Sequence, residues 1–314
     1  MFVILTMIGI QLSSQTHLED DMIRHLVSCV DVILWRHFTP GTTVLILMMD
    51  SQLEHETSSI SRRIVGTSSI ILEHQIMKTL HDDSNWSFQT FIQPLNNSEN
   101  YSEDTPTHIE GCIFILNSEN NDDMRVEFEQ LLFSSYSILI YVDKFIVLSS
   151  QIRSKHDIEN ASKLFQTTWT NIIKIDFIVL FPFVEDNTTS IKIFSWFPFE
   201  EKNCGDKLGI VKPIYQWPSS ETAKFPDVNF FPTKLPSSFN GCVLTIFSKG
   251  IAPYVILNDI KILEDGKTIY DLEGLCIEYL NLFSWKFNFT TRYQKPLITL
   301  NNDLQNGTGI EKVS

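Results

Sequence analysis

Residues 239–293 follow the order strand, loop, helix, strand, and this order limits the folds open to the chain. The segment opens with Phe239-Asn240-Gly241-Cys242 and continues through Val-Leu-Thr-Ile-Phe, an alternation that suits a strand. A turn broken by Pro253 follows, and the aromatic and β-branched residues of 287–290 indicate a second strand. Between the turn and this strand, apolar residues recur at helical spacing: Leu272, Leu275, Cys276, Tyr279, Leu280 and Phe283. The pattern predicts a βαβ unit with Cys276 buried on the apolar face of its helix.

Residues 20–198 alternate between helical and strand-like patterns, which predicts an amino-terminal α/β domain. The nearly continuous apolar run 172–181 suits a strand that is covered on both faces. The stretch 131–148 is interrupted by serines and by Asp143-Lys144, so we interpret it as two short buried strands joined by a turn and not as a membrane span. The predicted helices are 21–35, 70–80, 122–133 and 157–169, and the predicted strands are 42–49, 88–92, 112–116, 137–142, 145–148, 172–181 and 191–197.

Residues 199–238 show little periodicity and are rich in proline. Because proline lacks a backbone donor and fixes φ, we expect an extended linker here and place the domain boundary in it. The prolines are Pro213, Pro218, Pro226, Pro232 and Pro236. Residues 239–314 would then form the second domain.

Length and composition set broad limits on function. A chain of 314 residues is long enough for about two domains. With 43% apolar residues and 23 phenylalanines, it can bury large cores and is not disordered. The formal net charge of −14, without a basic patch, argues against a nucleic-acid partner.

Two features favour an extracellular compartment. The apolar start of the chain, followed by small polar residues, predicts a signal peptide over residues 1–14, although no basic residue precedes it. The alternatives are a buried N-terminal strand or a gene start placed wrongly. Glycosylation sequons (Asn-x-Ser/Thr) occur at Asn85, Asn96, Asn100, Asn160, Asn187, Asn288 and Asn306.

The five cysteines contain no Cys-x-x-Cys pair, which argues against a zinc knuckle or a thioredoxin-type redox motif. Cys204 and Cys242 flank the proline-rich segment and are the preferred disulfide pair. If Cys276 is a buried thiol, a pair between Cys29 and Cys112 follows only by elimination.

Residues 239–293, together with landmarks just before them, resemble the start of the ligand-binding domain of ionotropic glutamate receptors. They look most like the divergent arthropod branch, the chemosensory ionotropic receptors. The landmarks are Trp196-Phe197-Pro198-Phe199, Cys204-Gly205, Trp217, Phe230-Phe231-Pro232, Lys234-Leu235-Pro236 and Phe239-Asn240-Gly241-Cys242. Residues 20–198 match the family only in size and in their α/β rhythm.

The resemblance implies the extracellular part of a ligand-gated cation channel subunit. In that family an amino-terminal domain precedes a two-lobed, periplasmic-binding-protein-like clamshell, which closes on a small-molecule ligand. Residues 239–314 would be the incomplete first lobe. Other ionotropic receptor subunits are the implied partners in a hetero-oligomer. The full-length protein would lie in the plasma membrane, whereas a chain that ends at Ser314 would be secreted.

The resemblance assigns a role to few individual residues. Tyr254 matches a tyrosine that lines the ligand pocket in the family, and an ordinary turn aromatic is the alternative. Glutamate-binding relatives carry an acid three residues earlier, where this chain has Ile251, so we expect a ligand other than glutamate. Asn306-Gly307 is similar to a turn that precedes the carboxylate-binding arginine of the relatives, and we expect Arg292 to pair on the surface.

Two other functions compete with this hypothesis. An enzyme is one, but the chain lacks Gly-x-Ser-x-Gly, His-Glu-x-x-His, P-loop and Gly-x-Gly-x-x-Gly fingerprints, and His55 and His74 are isolated. We therefore expect no catalytic site, no metal and no cofactor. The other is a secreted, soluble ligand-binding module without channel activity.

Overall fold

A seven-stranded sheet forms the centre of the amino-terminal part of the chain in the computed structural model. Contacts divide the chain into unit 1, residues 1–200 and 207–234, and unit 2, residues 201–206 and 235–314. The structure describes 21–49, 72, 74–76, 78, 87–93, 109–118, 121–151, 157–172, 174–185, 188–200, 203–205, 207–218, 227–247, 250–262 and 268–294.

Unit 1 alternates strands and helices as the sequence predicts. Helix α1 covers residues 21–37, and α2 is described at helical residues between 72 and 78. The other helices are α3 (Asn121–Ser134), α4 (Tyr136–Leu139) and α5 (Asp157–Asn171). The strands are β1 (Thr43–Met49), β2 (Ser87–Gln93), β3 (Ile109–Leu116), β4 (Lys144–Ser149), β5 (Phe177–Glu185), β6 (Thr188–Phe197) and β7 (Ile210–Trp217).

The strand order is β2-β1-β3-β4-β5-β6-β7. The first five strands are parallel, with matched registers such as Ile46 opposite Ile113 and Phe145 opposite Phe177. Strands β6 and β7 extend the sheet in antiparallel fashion. The prediction of an α/β fold is confirmed, and the order of the parallel strands is that of a doubly wound sheet.

Successive side chains of β1, β3, β4 and β5 enter two different cores, because Cβ atoms alternate across a sheet. Ile46, Ile113 and Ile146 pack on the face covered by α1, whereas their neighbours Leu45 and Cys112 belong to the other core. Helices α3, α4 and α5 cover that second face. Strand β3 is buried at all eight positions. Unit 1 is therefore a three-layer arrangement with helices on both faces of the sheet.

The prediction of a strand at 137–142 is wrong. Residues 136–139 form a helical turn, in which the Ile140 amide donates to the Tyr136 carbonyl at 3.3 Å. The reason is the spacing of the buried residues Ser135, Ile138, Leu139 and Val142. They recur at i, i+3, i+4 and i+7, which is the period of a helix and not of a strand.

The structure also corrects the prediction that 199–238 is an extended linker. Strand β7 lies within it and pairs with β6, and Phe230 is fully buried in the core of unit 1. Pro213 is accommodated because β7 is an edge strand and its register with β6 shifts where Pro213 faces Phe194. Proline content alone therefore did not distinguish a linker from an edge strand.

Lys234, in the same segment, is buried against the amino end of β5. Its ammonium donates to the carbonyls of Ile175 at 2.5 Å and Phe177 at 3.3 Å. Burial lowers the pKa of Lys234 to about 8, and the negative charge of Asp176 opposes this shift. The lysine thus fastens the last residue of unit 1 to its sheet.

Unit 2 contains β8 (Cys242–Phe247), β9 (Ile256–Ile262), β10 (Thr268–Glu273), α6 (Leu275–Phe287) and β11 (Phe289–Gln294). Strands β8 and β11 are parallel neighbours, whereas β9 and β10 form an antiparallel pair. The predicted strand, helix and strand of residues 239–293 are present, with the β9–β10 pair as an addition before α6. No helix in the described part of the chain is long and apolar enough to span a bilayer.

Substituting Gly111 by alanine tests the tight packing at the amino end of β3. A Cβ atom there would overlap the ring of the buried Phe38. We expect Gly111→Ala to lower the free energy of unfolding by about 1–3 kcal/mol, the usual range for overpacking. Urea denaturation measures this change. Replacing Phe38 by leucine in the same chain should recover part of the loss, and an additive double variant would contradict the clash.

Candidate functional site

Tyr254, the ligand-contacting residue proposed from the sequence, lies at the tip of a tight turn between β8 and β9. The Ile251 amide donates to the Val255 carbonyl at 2.8 Å, and the Tyr254 amide donates to the Ile251 carbonyl at 2.9 Å. The peptide bond between Ala252 and Pro253 is cis. Ile251 and Tyr254 both expose more than half of their side chains. The turn therefore presents an isoleucine and a tyrosine outward, as a binding surface would require.

The same turn caps the first residues of α6. The Leu275 amide donates to the Pro253 carbonyl at 3.3 Å, and the Cys276 amide donates to the Tyr254 carbonyl at 3.0 Å. Gly274 has a φ of 117°, and a Cβ there would lie 2.6 Å from the Tyr254 carbonyl oxygen. Only glycine allows the backbone of the turn and the start of the helix to approach this closely.

This capping changes the chemistry of the helix N-terminus. The first amides of a helix usually lack partners and can bind an anion. Here the next two amides, those of Ile277 and Glu278, donate to the Gly274 carbonyl at 3.0 and 3.1 Å. Because all four first-turn amides are already hydrogen-bonded within the chain, the N-terminus of α6 does not offer free donors for a carboxylate ligand.

Helix α6 buries only Ile277. Leu275, Tyr279, Leu282 and Phe283 are each more than half exposed, and they recur at the spacing of one helix face. A helix that is apolar on more than one side is usually buried on more than one side. Unit 2 by itself therefore leaves a wide apolar face of α6 open to a covering surface or to an apolar ligand.

Cys204 and Cys242 form a disulfide bond, as the sequence predicts, with Cα atoms 5.5 Å apart. The bond ties residue 204 to the first residue of β8, so both cysteine landmarks of the family resemblance meet in unit 2. Structural disulfides persist in oxidising compartments such as the extracellular space.

The predictions for the other three cysteines are wrong. Cys29 and Cys112 are free thiols that lie in the two different cores of unit 1, on opposite faces of the sheet, so they cannot approach each other. Burial raises the pKa of both thiols, which keeps them protonated and unreactive. Cys276 is exposed and not buried, because α6 turns Ile277 and not Cys276 towards the rest of unit 2.

Two of the seven predicted glycosylation sites fall within the described residues. Asn288 is exposed in the left-handed position that ends α6, where a glycan has room. Asn160 is only 3% exposed and lies on the buried face of α5, which argues against a glycan at this position in the folded chain. The signal peptide at 1–14 and the sequons at Asn85, Asn96, Asn100, Asn187 and Asn306 lie outside the described residues.

Unit 1 has a second cluster of polar groups, which the sequence did not reveal, at the carboxyl ends of β3 and β4. In doubly wound sheets ligands bind outside this edge. The Glu127 carboxylate accepts hydrogen bonds from the amides of Asn117 and Ser118 at 3.0 Å. The Ser150 hydroxyl lies 2.9 Å from Oδ1 of Asn117. The chain's own carboxylate thus occupies the backbone donors that an anionic ligand would use.

A partly buried ion pair lies at the start of α5. Asp157 is 4% exposed and accepts from the Lys192 ammonium at 3.1 Å, while that ammonium lies 4.1 Å from the centre of the Phe183 ring.

Among the residues that the structure describes, no three His, Cys, Asp or Glu side chains are placed to hold a metal ion. Arg292 is exposed on β11, where it lies opposite Thr245.

A scan of the chain against protein-family models finds no match, and a search of the curated proteins finds no significant one.

Removing the disulfide tests its role in unit 2. The bond closes a loop with a sequence separation of 38, for which loop entropy predicts a stabilisation of about 4 kcal/mol. We expect the double variant Cys204→Ser, Cys242→Ser to increase proteolysis and amide exchange in β8 and β11, while the sheet of unit 1 keeps its protection. Equal loss of protection in both units would contradict this assignment.

Proposed function

We propose that this chain is the extracellular part of a ligand-gated cation channel subunit of the ionotropic-receptor type, which detects a small chemical ligand. The observation that carries the proposal is the β8–α6–β11 unit, fastened at Cys242 by the disulfide to Cys204. Both cysteines are landmarks of the sequence resemblance, and the helix start packs against the turn that bears Tyr254.

The apolar face of α6 supports the proposal that unit 2 is part of a larger lobe. Leu275, Tyr279, Leu282 and Phe283 expose more apolar surface than a finished soluble domain of this size usually leaves open. In a periplasmic-binding-protein-like lobe, further strands and helices would cover such a face. A secreted binding module that lacks these further elements would keep this face exposed to water.

The ligand is proposed to be other than glutamate. Ile251, 60% exposed on the Tyr254 turn, cannot accept hydrogen bonds from a ligand ammonium group. The first-turn amides of α6 are hydrogen-bonded within the chain and do not offer donors to a ligand carboxylate. Both features favour a ligand that is recognised at this surface by apolar and aromatic contact.

A non-catalytic role for unit 1 completes the proposal. The backbone donors at the carboxyl edge of β3 are hydrogen-bonded to Glu127, and the Asp157 carboxylate is paired with Lys192. These groups stabilise loops and a helix start, and none of them forms a nucleophile with an adjacent base. We propose an amino-terminal domain that supports assembly with other receptor subunits.

Recordings from oocytes test the channel function. The full-length product of the gene that encodes this chain is expressed with candidate partner subunits and exposed to glutamate and to panels of small amines, carboxylic acids and alcohols. We expect cation currents with at least one non-glutamate compound. Tyr254→Ala should raise the half-maximal concentration about tenfold, because an aromatic contact is lost.

Tyr141→Ala, at an exposed tyrosine of unit 1, is the matched control and should leave the response unchanged. Surface-expressed receptor without current for any compound would count against the channel. Secretion of the protein into the medium with ligand binding would support the soluble module in its place.

Glycan mapping tests the extracellular compartment. We expect Asn288→Gln to increase the electrophoretic mobility of the protein made in insect cells, because one exposed acceptor is lost. Asn160→Gln should not change the mobility, because the native side chain is buried in α5. Deglycosylation with an endoglycosidase should remove the difference between wild type and the Asn288 variant. A mobility change in the Asn160 variant would overturn this placement.

A further inference from the structure

The last segment of unit 1 before unit 2, residues 227–234, forms neither a helix nor a strand; we name it the strap. Phe230 at its centre is fully buried and packs in the core between α1 and the sheet. Val228 and Phe231 are half-buried against the same core. Because the strap lacks the hydrogen bonds of regular structure, individual contacts decide how firmly it is held.

One of these contacts is to a histidine. His37, the last residue of α1, accepts a hydrogen bond at Nε2 from the Phe230 amide at 3.3 Å. Its ring lies edge-to-face against Phe230 and Phe231, with centroid distances of 5.7 and 5.4 Å. A ring nitrogen accepts a hydrogen bond only while it carries no proton. The contact therefore requires Nε2 of His37 to be unprotonated.

The charges around His37 favour its neutral form. Burial lowers the pKa of His37, and the positive charges of Lys144 at the start of β4 and Arg36 on α1 lower it further. The carboxylate of Glu110 on β3 is engaged by the Lys144 ammonium at 2.7 Å and by the Thr39 amide at 2.7 Å. Around neutral pH the histidine is thus an acceptor for the strap.

We propose that the strap is a pH-sensitive latch, which is fastened while His37 is neutral and loosens around Phe230 when His37 is protonated. A protonated Nε2 would place two donors opposite each other, and the Phe230 amide would lose its acceptor. A buried backbone donor without an acceptor is costly, so the bound position of the strap becomes less stable.

The other end of the strap does not respond to acid. Lys234 is already protonated below its pKa of about 8, and its ammonium keeps its bonds to the carbonyls of Ile175 and Phe177. Acidification therefore opens the strap at its centre while its last residue stays attached to β5. The residues around Phe230 therefore gain freedom, whereas Lys234 stays in place.

The direction of the pH effect follows from proton linkage. The pKa of His37 in the folded chain is lower than its ordinary value of 6.5, so the unfolded or opened form binds more protons. Neutral His37 makes its full contribution to the stability of the bound strap above about pH 6.5. This contribution is lost as the pH falls through the pKa of His37 in the folded state. The latch responds to acidification and not to alkalisation.

Amide hydrogen exchange on the complete chain tests the latch, at about pH 7.5 and about pH 5.5, with correction for the intrinsic pH dependence of exchange. We expect protection of the strap amides to fall about fivefold at the lower pH, the size of one hydrogen bond. His37→Gln, whose side-chain oxygen accepts at both pH values, should remove this change. His74→Gln, at an exposed histidine of α2, is the matched control and should keep it.

Unchanged strap protection in the wild type, or an equal pH effect in His37→Gln, would overturn the proposal. If His37→Gln does not fold, exchange of the imidazole C2 proton measures the pKa of His37 in the wild type. This pKa must lie below 6.5, and strap protection must fall between about pH 6.5 and this pKa; a pKa at or above 6.5 would equally exclude the latch.

Discussion

Burial of the central sheet on both faces is the constraint on which unit 1 depends. Strand β3 has no exposed position, so a slip of one residue would exchange the Cys112 face with the Ile113 face and mismatch both cores. Each large apolar side chain in these cores contributes about 1.5–3 kcal/mol relative to an exposed position. This requirement fixes the register of the sheet. It therefore also fixes which residues lie at the amino and carboxyl ends of the strands.

The amino and carboxyl ends of the parallel strands are stabilised by the chain's own polar groups. At the amino ends, Glu110 accepts from Thr39, Thr42 and Lys144; burial raises the pKa of Glu110, but these hydrogen bonds outweigh that effect and lower it. At the carboxyl ends, Glu127 has the same role towards the loop after β3. Unit 2 differs, because α6 buries only Ile277 and leaves Leu275, Tyr279, Leu282 and Phe283 more than half exposed. This contrast agrees with the proposed roles, in which unit 1 supports assembly and unit 2 faces the ligand.

Sequence patterns predicted α1, α2, α3, α5 and most strands of unit 1, because their hydrophobic periods are long and regular. They failed where the pattern was short or ambiguous. The stretch 137–142 is apolar enough for a strand, but its buried positions follow a helical period that only the packing reveals. The prolines of 199–238 suggested a linker, although an edge strand tolerates Pro213 and a core pocket accepts Phe230. In the candidate site, Tyr254 and Gly274 were visible as residue types, but their contact across the start of α6 was not.

The sequence by itself determined the α/β class and the strand–helix–strand order of residues 239–293, since periodicity is a local property of the chain. It also favoured the pairing of Cys204 with Cys242, which flank the proline-rich segment, and the structure contains this bond. Tertiary structure decided which face each residue occupies. It separated Cys29 from Cys112 by a sheet, buried Asn160 and exposed Cys276. It also brought the Phe230 amide to His37, 193 residues away. Such contacts depend on how separate elements pack in three dimensions, and no local pattern in the sequence encodes a contact between residues so far apart in the chain.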